Sequence, residues 1–376
     1  MNKVIISWLL FLRKFFCKKV FLIRLSHMKT HFYSISEIPE DLKQFTYSLQ
    51  RKTKYSSLWQ TFGWQSMLFE SKQISSSYFY GMGDGDIVAY ACIEIRSLWL
   101  WFEGAFIVGG PYLSESLSDN EKDTFFHSMK DALQKQLPGI LFLQYESLQE
   151  DIYYFKKQAH KAFIEPYTRC IDLTHSEDDI LNQMHEKWRY NIRLAIKRGV
   201  TVERVDASRE HIDTFFHLLL ETTKRDGFAH NSRAYYESML RFLESENMGG
   251  LYFAYNQEKK VIAAWIFVFL GNTALYYYGA STSDSQERKH MPAYLLQWQA
   301  MLDGKKFGCK IYDFLWIAPD ESIHHHLAGV TDFKKKFGWY TQIFDAKGIF
   351  IYQSTAYTVY KIIRTIKRGF RSLLRK

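Results

Sequence analysis

Very little in this sequence would hold the chain together without a packed core. Its four cysteines, Cys17, Cys92, Cys170 and Cys309, lie far apart in 376 residues and form no CxxC pair. That spacing excludes a zinc ribbon and a disulfide framework and fits a reducing, cytoplasmic setting. Six prolines are too few for a collagen-like or low-complexity chain. No GxSxG elbow and no HExxH pair is present, so neither a hydrolase nucleophile nor a zincin-type metal site is written here. A glycine-rich loop entering a helix is also missing. Gly81, Gly83 and Gly85 lead into the strand-like run IVAYACIEI, the setting of a hairpin turn rather than a phosphate cradle.

What is present is a folded, aromatic-rich chain: 47% hydrophobic, 17% aromatic and 24% charged. Its length predicts two domains at roughly 150 residues each. The charge is unevenly placed. Residues 1–31 and 357–376 each hold seven Lys or Arg and no acid, which leaves 35 basic against 40 acidic side chains between them. The basicity is therefore terminal. A protein that coats nucleic acid without sequence preference carries its positive field on the folded body, so this pattern points to a surface instead.

The first stretch mixes Val4 to Leu12, Phe15, Phe16 and Val20 to Ile23 with Arg13, Lys14, Lys18 and Lys19. Its uncharged runs fall short of the ~20 residues of a spanning helix, and no small-residue cleavage site follows. Residues 1–31 are expected to be a basic amphipathic anchor lying in the membrane plane, or else to precede a true start at Met28. The last stretch, 351–376, reads as a basic amphipathic helix with Tyr360, Ile363, Ile366, Phe370 and Leu373 on one side. Val261 to Ala280 is a decoy. Its twenty uncharged residues centre on Gly271-Asn272, the pattern of two buried strands around a short turn.

Helix and strand signals alternate along the rest. Strands are predicted over 87–96, 98–108 and 140–145, with a helix over 121–136. The second half repeats that order. Helices are expected around 182–198, 211–225, 233–246 and 293–306, and strands over 200–205, 250–255, 261–270, 273–280 and 311–315. The inference is an α/β fold with mixed sheets in two related domains, 32–165 and 166–350, without a coiled-coil arm.

Two stretches carry candidate chemistry. In EKWRYNIRLAIKR, Arg189, Arg193 and Lys197 recur every four residues, with Lys187 two residues before the first of them. Such a face is either a solvated one with cations near a helix C-terminus or an anion site for tRNA or pyrophosphate. The other stretch runs from Ile311 through His324, His325 and His326 to Phe333-Lys334-Lys335-Lys336-Phe337-Gly338. Three consecutive histidines do not converge on one ion, so no metal is expected. Phe333 and Phe337 would hold the lysine run against a core and aim at least one lysine in a fixed direction.

These residues, taken in series, resemble the Fem (FemABX) aminoacyltransferases. The resemblance rests on KWRYNIR with Gly199-Val200, then TKRDGF at 223–228 with Tyr235-Tyr236, Ile262-Ala263-Ala264, YGAS at 278–281, Tyr312-Asp313-Phe314, and LAGV at 327–330 with Phe333-Lys334 and Phe337-Gly338. It covers about 170 residues. Over 40–165 it is looser, resting on Leu58-Trp59-Gln60, Trp64 and Gly110-Pro111.

The resemblance implies two tandem GNAT-like domains and an aminoacyl-tRNA donor, with no separate cofactor. It also implies an acceptor amine on the stem peptide of a peptidoglycan precursor, either lipid II or UDP-MurNAc-peptide. By the same resemblance Lys334 stabilises the reacting carbonyl beside Phe333, and Tyr235, Tyr278, Arg225 and Trp64 bind substrate. Lys187, Arg189, Arg193 and Lys197 then bind tRNA. The implied location is the inner face of the cell membrane, reached through the basic termini.

Three departures concern the acceptor. The residue before Gly110-Pro111 is Gly109 rather than a base, with Tyr112-Leu113-Ser114 rather than an early acid after it. No lysine closely follows Trp64, and Asn231 stands where an arginine is common. An acyl-coenzyme A transferase on the same scaffold and a non-catalytic membrane-surface scaffold are the alternatives.

Overall fold

In the computed structural model the described residues are 23–25, 28–99, 101–150, 152–319, 325 and 327–373. The first part runs β1 (Ile23–Leu25), β2 (Met28–Ser34), α1 (Glu40–Gln50), α2 (Phe62–Lys72), β3 (Ser75–Gly83), β4 (Asp86–Trp99), β5 (Phe102–Val108), β6 (Tyr112–Leu113), α3 (Asp119–Gln136) and β7 (Phe142–Glu146). The second runs β8 (Tyr167–Asp172), α4 (Glu177–Gln183), α5 (Glu186–Lys197), β9 (Thr201–Val205), α6 (Arg209–Asp226), α7 (Arg233–Ser245), β10 (Gly249–Tyr255), β11 (Val261–Leu270) and β12 (Thr273–Ser281). It continues through α8 (Ser285–Arg288), α9 (Pro292–Phe307), β13 (Ile311–Asp313), α10 (Ala328–Lys335) and β14 (Tyr340–Ile343), before β15 (Lys347–Ile351) and α11 (Ser354–Leu373) close the chain.

The helices start and stop where local chemistry dictates. Ser118 and Glu121 form a reciprocal capping box on α3, Ser208 and Ser232 cap α6 and α7, and Gly227 ends α6 in the left-handed region that glycine favours. Pro292 opens α9 and Gly308 closes it. The decoy run forms the expected hairpin, β11 and β12 pairing antiparallel around Gly271. β11 is buried almost end to end, and a strand covered on both faces has no polar side to show.

Two mixed sheets result. Among the described residues the first has the order β1-β2-β3-β4-β5-β7-β15, with β6 beside β4, and the second β14-β8-β13-β12-β11-β10-β9. β5 with β7 and β12 with β13 are the parallel pairs of their sheets. The α/β expectation with two mixed-sheet units therefore holds. Its boundaries shift. β15 returns to the first sheet along β7, and α11 packs on that same unit, so the second unit ends near Ile343 rather than at 350.

At the other end, β1 and β2 are sheet strands and Met28 is buried. The expected membrane segment thus stops short of residue 31, and its greater part, 1–22, lies outside the described residues. The break expected after Arg96 is displaced, because β4 runs on to Trp99. The long helix expected over 182–198 is two, α4 and α5, separated at Met184 and His185. β13 ends at Asp313, two residues early, where Leu315 and Trp316 take positive φ.

One apolar cluster spans both sheets, beside others confined to each unit. α2 of the first unit packs on α7 of the second so closely that a side chain at Gly63 would stand 2.1 Å from the Phe242 ring. The 51–59 loop clasps the β11–β12 turn: Asn272 donates to the Thr53 carbonyl at 2.7 Å and Ser56 N–H to Thr273 at 3.0 Å. Tyr55 donates to Gln342 at 2.7 Å. Bonds buried on both sides are costly to break one partner at a time, so the groove between the sheets is a fixed structure. No helix of the described residues is long and apolar enough to cross a membrane.

Candidate active site

The Phe333-x-x-x-Phe337-Gly338 segment is built from its aromatic residues outward. Phe337 is fully buried against Phe314, while Phe333 packs on Tyr294 and Phe337 at 5.4 and 5.1 Å. The Trp188 indole of α5 donates to the Phe333 carbonyl at 3.2 Å. Gly338 has φ +92°, and a side chain there would meet the Gln183 carbonyl at 2.6 Å, so only glycine fits. These anchors turn Lys334 inward and leave Lys336 exposed over the Trp188 ring. The Phe333 ring itself packs into the aromatic cluster of Tyr294 and Phe337.

Lys334 is 6% exposed. Its ammonium donates to the Leu315 carbonyl and, at 2.8 Å, to the Trp316 carbonyl, and it lies 5.7 Å from the Tyr276 ring centre. Both carbonyl residues are in the left-handed region, φ +49° and +31°, a strained geometry for residues with side chains. Asp313 sets this turn. Its carboxylate accepts from the Leu315 N–H at 2.7 Å and from the Thr168 hydroxyl. Burial pushes Lys334 down to about 7, the Asp313 charge opposing part of the shift. Burial likewise pushes Asp313 up to about 6, against the Thr168 and Leu315 hydrogen bonds and the Lys334 charge. Both groups are shut off from bulk solvent, so each ion depends on the other's charge.

Trp316 carries the turn across to the first unit, its ring stacking on Trp59 with 6.5 Å between centroids and 6° between planes. Tyr55, Trp59, Thr168, Asp313, Leu315 and Trp316 line a narrow cavity of ≈ 10 Å³ at this junction, room for about one water. Trp59 Nε1 donates to Tyr277 at 3.2 Å, which begins the second cluster. There Tyr235 and Tyr278 bring their hydroxyls to 3.4 Å, and Asn231 donates to Tyr278 at 3.2 Å. The two tyrosines are thus together, and an aromatic chain links them to Lys334.

Sequence reasoning missed the cations at this cluster. Lys72, at the end of α2, donates to Asn231 at 2.7 Å and lies 4.4 Å from the Tyr235 ring centre. Burial lowers its pKa, and Arg96 and Lys161 lower it further. Arg96 and Lys161 flank the Phe163 ring at 4.5 and 4.8 Å, Arg96 also pairing with buried Glu94 at 2.5 Å. The position that lacks an arginine is thus served by a lysine two helical turns beyond Trp64, a signal present in the sequence only as spacing.

Other expected site residues are otherwise engaged. Arg225 donates to the Ser281 and Thr282 carbonyls at 3.2 and 3.1 Å and pairs with Asp226. It clamps the end of α6 to β12 rather than facing the tyrosines. Trp64 is buried at the inter-sheet contact, edge-on to Tyr277 at 5.6 Å. Arg189 leaves the expected basic row, because its guanidinium donates to the Asn182 carbonyl at 3.0 Å and to that of Met184. Lys187, Arg193 and Lys197 do remain exposed on α5, together with Tyr190 and Ile196. Of the three histidines only His325 is described, and no cluster that could hold a metal occurs among the described residues.

Comparison with known proteins adds to this geometry. Residues 183–335 match the acetyltransferase (GNAT) domain family. The lipid II:glycine glycyltransferase of Staphylococcus aureus is 25% identical over a match covering 50% of this chain and 59% of that protein, so the chain spans less than two thirds of its curated relative. The crystal structure of FemX superposes with a TM-score of 0.73 at 17% identity, covering 84% of this chain and 98% of that one. A tandem GNAT protein from the clavulanic acid biosynthesis pathway does so with a TM-score of 0.50 at 10% identity, covering 86% and 98%. With two such sheets in tandem, the chain has a tandem GNAT-like fold similar to that of FemX.

Proposed function

We propose that this protein is an acyltransferase that moves an aminoacyl group from aminoacyl-tRNA to the stem-peptide amine of a peptidoglycan precursor. The observation that carries the reading is the Lys334 ammonium, buried at the junction of the two units with two of its three donors on the Leu315 and Trp316 carbonyls. The third donor is assigned to the reacting carbonyl.

An aminoacyl ester is already activated. The acceptor nitrogen attacks the ester carbon, a C–N bond forms, and the C–O bond to the tRNA ribose breaks. The proton lost by the amine goes to the leaving oxygen. Negative charge gathers on the carbonyl oxygen meanwhile, and a pre-placed cation in a dry site stabilises it without reorganising. Positioning supplies most of the remainder, so neither a dedicated base nor a cofactor is called on.

The other parts follow in order. The cluster of Tyr235, Tyr278, Asn231 and Lys72 receives the acceptor. Arg96 and Lys161 give its approach a positive field suited to phosphate. Lys187, Arg193 and Lys197 of α5, whose inner face holds Phe333, face the tRNA. The similarity to a lipid II glycyltransferase and the basic termini favour a lipid-linked acceptor over the soluble nucleotide form, and hence a place at the inner face of the cell membrane. An acyl-coenzyme A donor is disfavoured because the stretch entering α9, 282–291, holds no glycine to let backbone N–H groups close on a pyrophosphate.

The test is transfer of radiolabelled amino acid from charged tRNA to a peptidoglycan precursor by the purified protein. Lys334→Met is expected to lower turnover by about 10²–10³-fold, the usual loss on removing an oxyanion donor. Turnover supported by acetyl-coenzyme A alone would overturn the reading. Mass spectrometry of muropeptides from cells with and without the protein then names the amino acid added.

A further inference from the structure

The C-terminal helix turns one face to the protein and another to solvent, and the outer face is apolar. Tyr357 and Tyr360 are buried, packing on Phe142 and Phe102 at 5.5 and 5.9 Å. Arg364 lies on the same side, donating to the His160 carbonyl at 3.2 Å and meeting the His160 ring at 3.1 Å. Tyr360 was expected on the apolar stripe with Ile363 and Ile366. It points the other way, and Val359 and Ile362 take its place. Val359, Ile362 and Ile366 are 45%, 55% and 54% exposed, at the three- and four-residue spacing that stacks side chains along one helix face.

A second apolar element adjoins the helix. The β4–β5 hairpin turns through Trp101, which is 76% exposed, although its immediate neighbour Phe102 packs edge-on against Tyr360. Trp101 lies against Phe102 with 5.8 Å between ring centres. Most of the indole is thus left to solvent. The sequence of the helix carries charge of one sign, since residues 357–376 contain seven Lys or Arg and no acid. Burial first, then the positive charges of Arg364, Lys161 and Lys361, lower the His160 pKa to about 4.

We infer that the outer face of α11 and the Trp101 hairpin tip form one docking surface for an anionic lipid bilayer. The isoleucines and the indole enter the headgroup boundary, and the flanking Lys and Arg meet lipid phosphate. Surface and cleft share one segment, since His160, which receives Arg364, precedes Lys161 of the cationic approach to the tyrosine cluster. The inference needs only a bilayer, so it stands whether or not the acceptor assignment does.

The full chain is to be sedimented with vesicles of equal phosphatidylglycerol and phosphatidylcholine, and with pure phosphatidylcholine, in the absence of any precursor. Binding is expected to the anionic vesicles, with a large loss between about 0.1 and 1 M salt as screening shortens the reach of the charges. Combining Trp101→Ser, Ile362→Ser and Ile366→Ser should weaken binding about tenfold, whereas Tyr190→Ser on the far unit leaves it unchanged. All three side chains are exposed, and an unaltered thermal melt checks the fold. Independently, brominated lipid should quench a component of the tryptophan fluorescence that Trp101→Phe removes. Wild-type vesicle binding by the triple variant, or quenching unaltered by Trp101→Phe, overturns the inference. So does a self-associating chain whose dimer the triple variant abolishes.

Discussion

The Lys334 ammonium donates to the carbonyl of Trp316 at 2.8 Å while the ring of that same tryptophan stacks on Trp59 of the opposite unit. The cation is thus held by a backbone turn whose side chain spans the two sheets. Its direction is a property of the inter-sheet contact as well as of its own helix, and the first prediction follows from that coupling.

Trp59→Ala removes the stack, leaves a void at a buried site, and orphans the bond to Tyr277. We expect a loss of about 3–5 kcal/mol in urea unfolding. Folded enzyme should also turn over more slowly, because the turn that carries Lys334 loses its far support. Wild-type turnover by folded Trp59→Ala would show that the stack does not hold the lysine.

The displaced pKa of Lys334 predicts a pH profile. The ammonium is fully present below about 7 and is lost as pH rises through that value, taking the oxyanion contact with it. The attacking amine, ordinarily at about 10.4, has the opposite need, so transfer should rise with pH to about 7 and level off there as Lys334 loses its proton. In Lys334→Arg the side chain stays charged, and any residual activity should go on rising above that pH. An unmoved break would assign it to another group.

At the tyrosine cluster, Lys72→Met should raise KM for a phosphate-bearing acceptor about tenfold, or about 1.4 kcal/mol, and leave kcat nearly unchanged. Acceptors without the phosphate should be indifferent to the change. Stability should hold, since the substitution removes a half-buried cation that Arg96 and Lys161 repel.

Arg225→Met tests the reassignment of that residue. Its guanidinium bonds are to the carbonyls of Ser281 and Thr282, so a loss of about 1–3 kcal/mol in stability is expected with KM unaltered. A selective rise in KM at unchanged stability would restore it to the binding site.

Gly338→Ala should cost about 1–3 kcal/mol, because the alanine would need an unfavourable φ as well as room occupied by the Gln183 carbonyl. Urea midpoints measure this directly.

Some of this arrangement could be read before any coordinates, and the reasons differ by element. The β11–β12 hairpin was legible because a two-sided apolar run and a Gly-Asn turn are local properties. α2 was not. Its apolar residues include both buried Trp64, Met67 and Leu68 and exposed Phe69, with a glycine at its second position, so no single stripe marks it. The early end of β13 depends on the Asp313 carboxylate reaching its own chain two residues on, helped by Thr168 from another strand, which no periodicity records. Spacing placed Arg189 on a helix face, yet could not say that the Asn182 and Met184 carbonyls wait beside it. That at least one lysine of 334–336 is aimed in a fixed direction was legible because Phe333 and Phe337 bracket the run, whereas the choice of Lys334 came from the resemblance. Lys72 was not, since its meeting with Asn231 spans 159 residues.

β8 and β14 run side by side, Tyr167 opposite Ile343, while β15 completes the first sheet on the free side of β7. During synthesis, then, β7 emerges with an unsatisfied edge that stays open until some two hundred further residues, from 147 to 351, have left the ribosome. An open strand edge invites pairing with the wrong chain. The first sheet is therefore completed last, by a strand that leaves the ribosome after the whole of the second sheet.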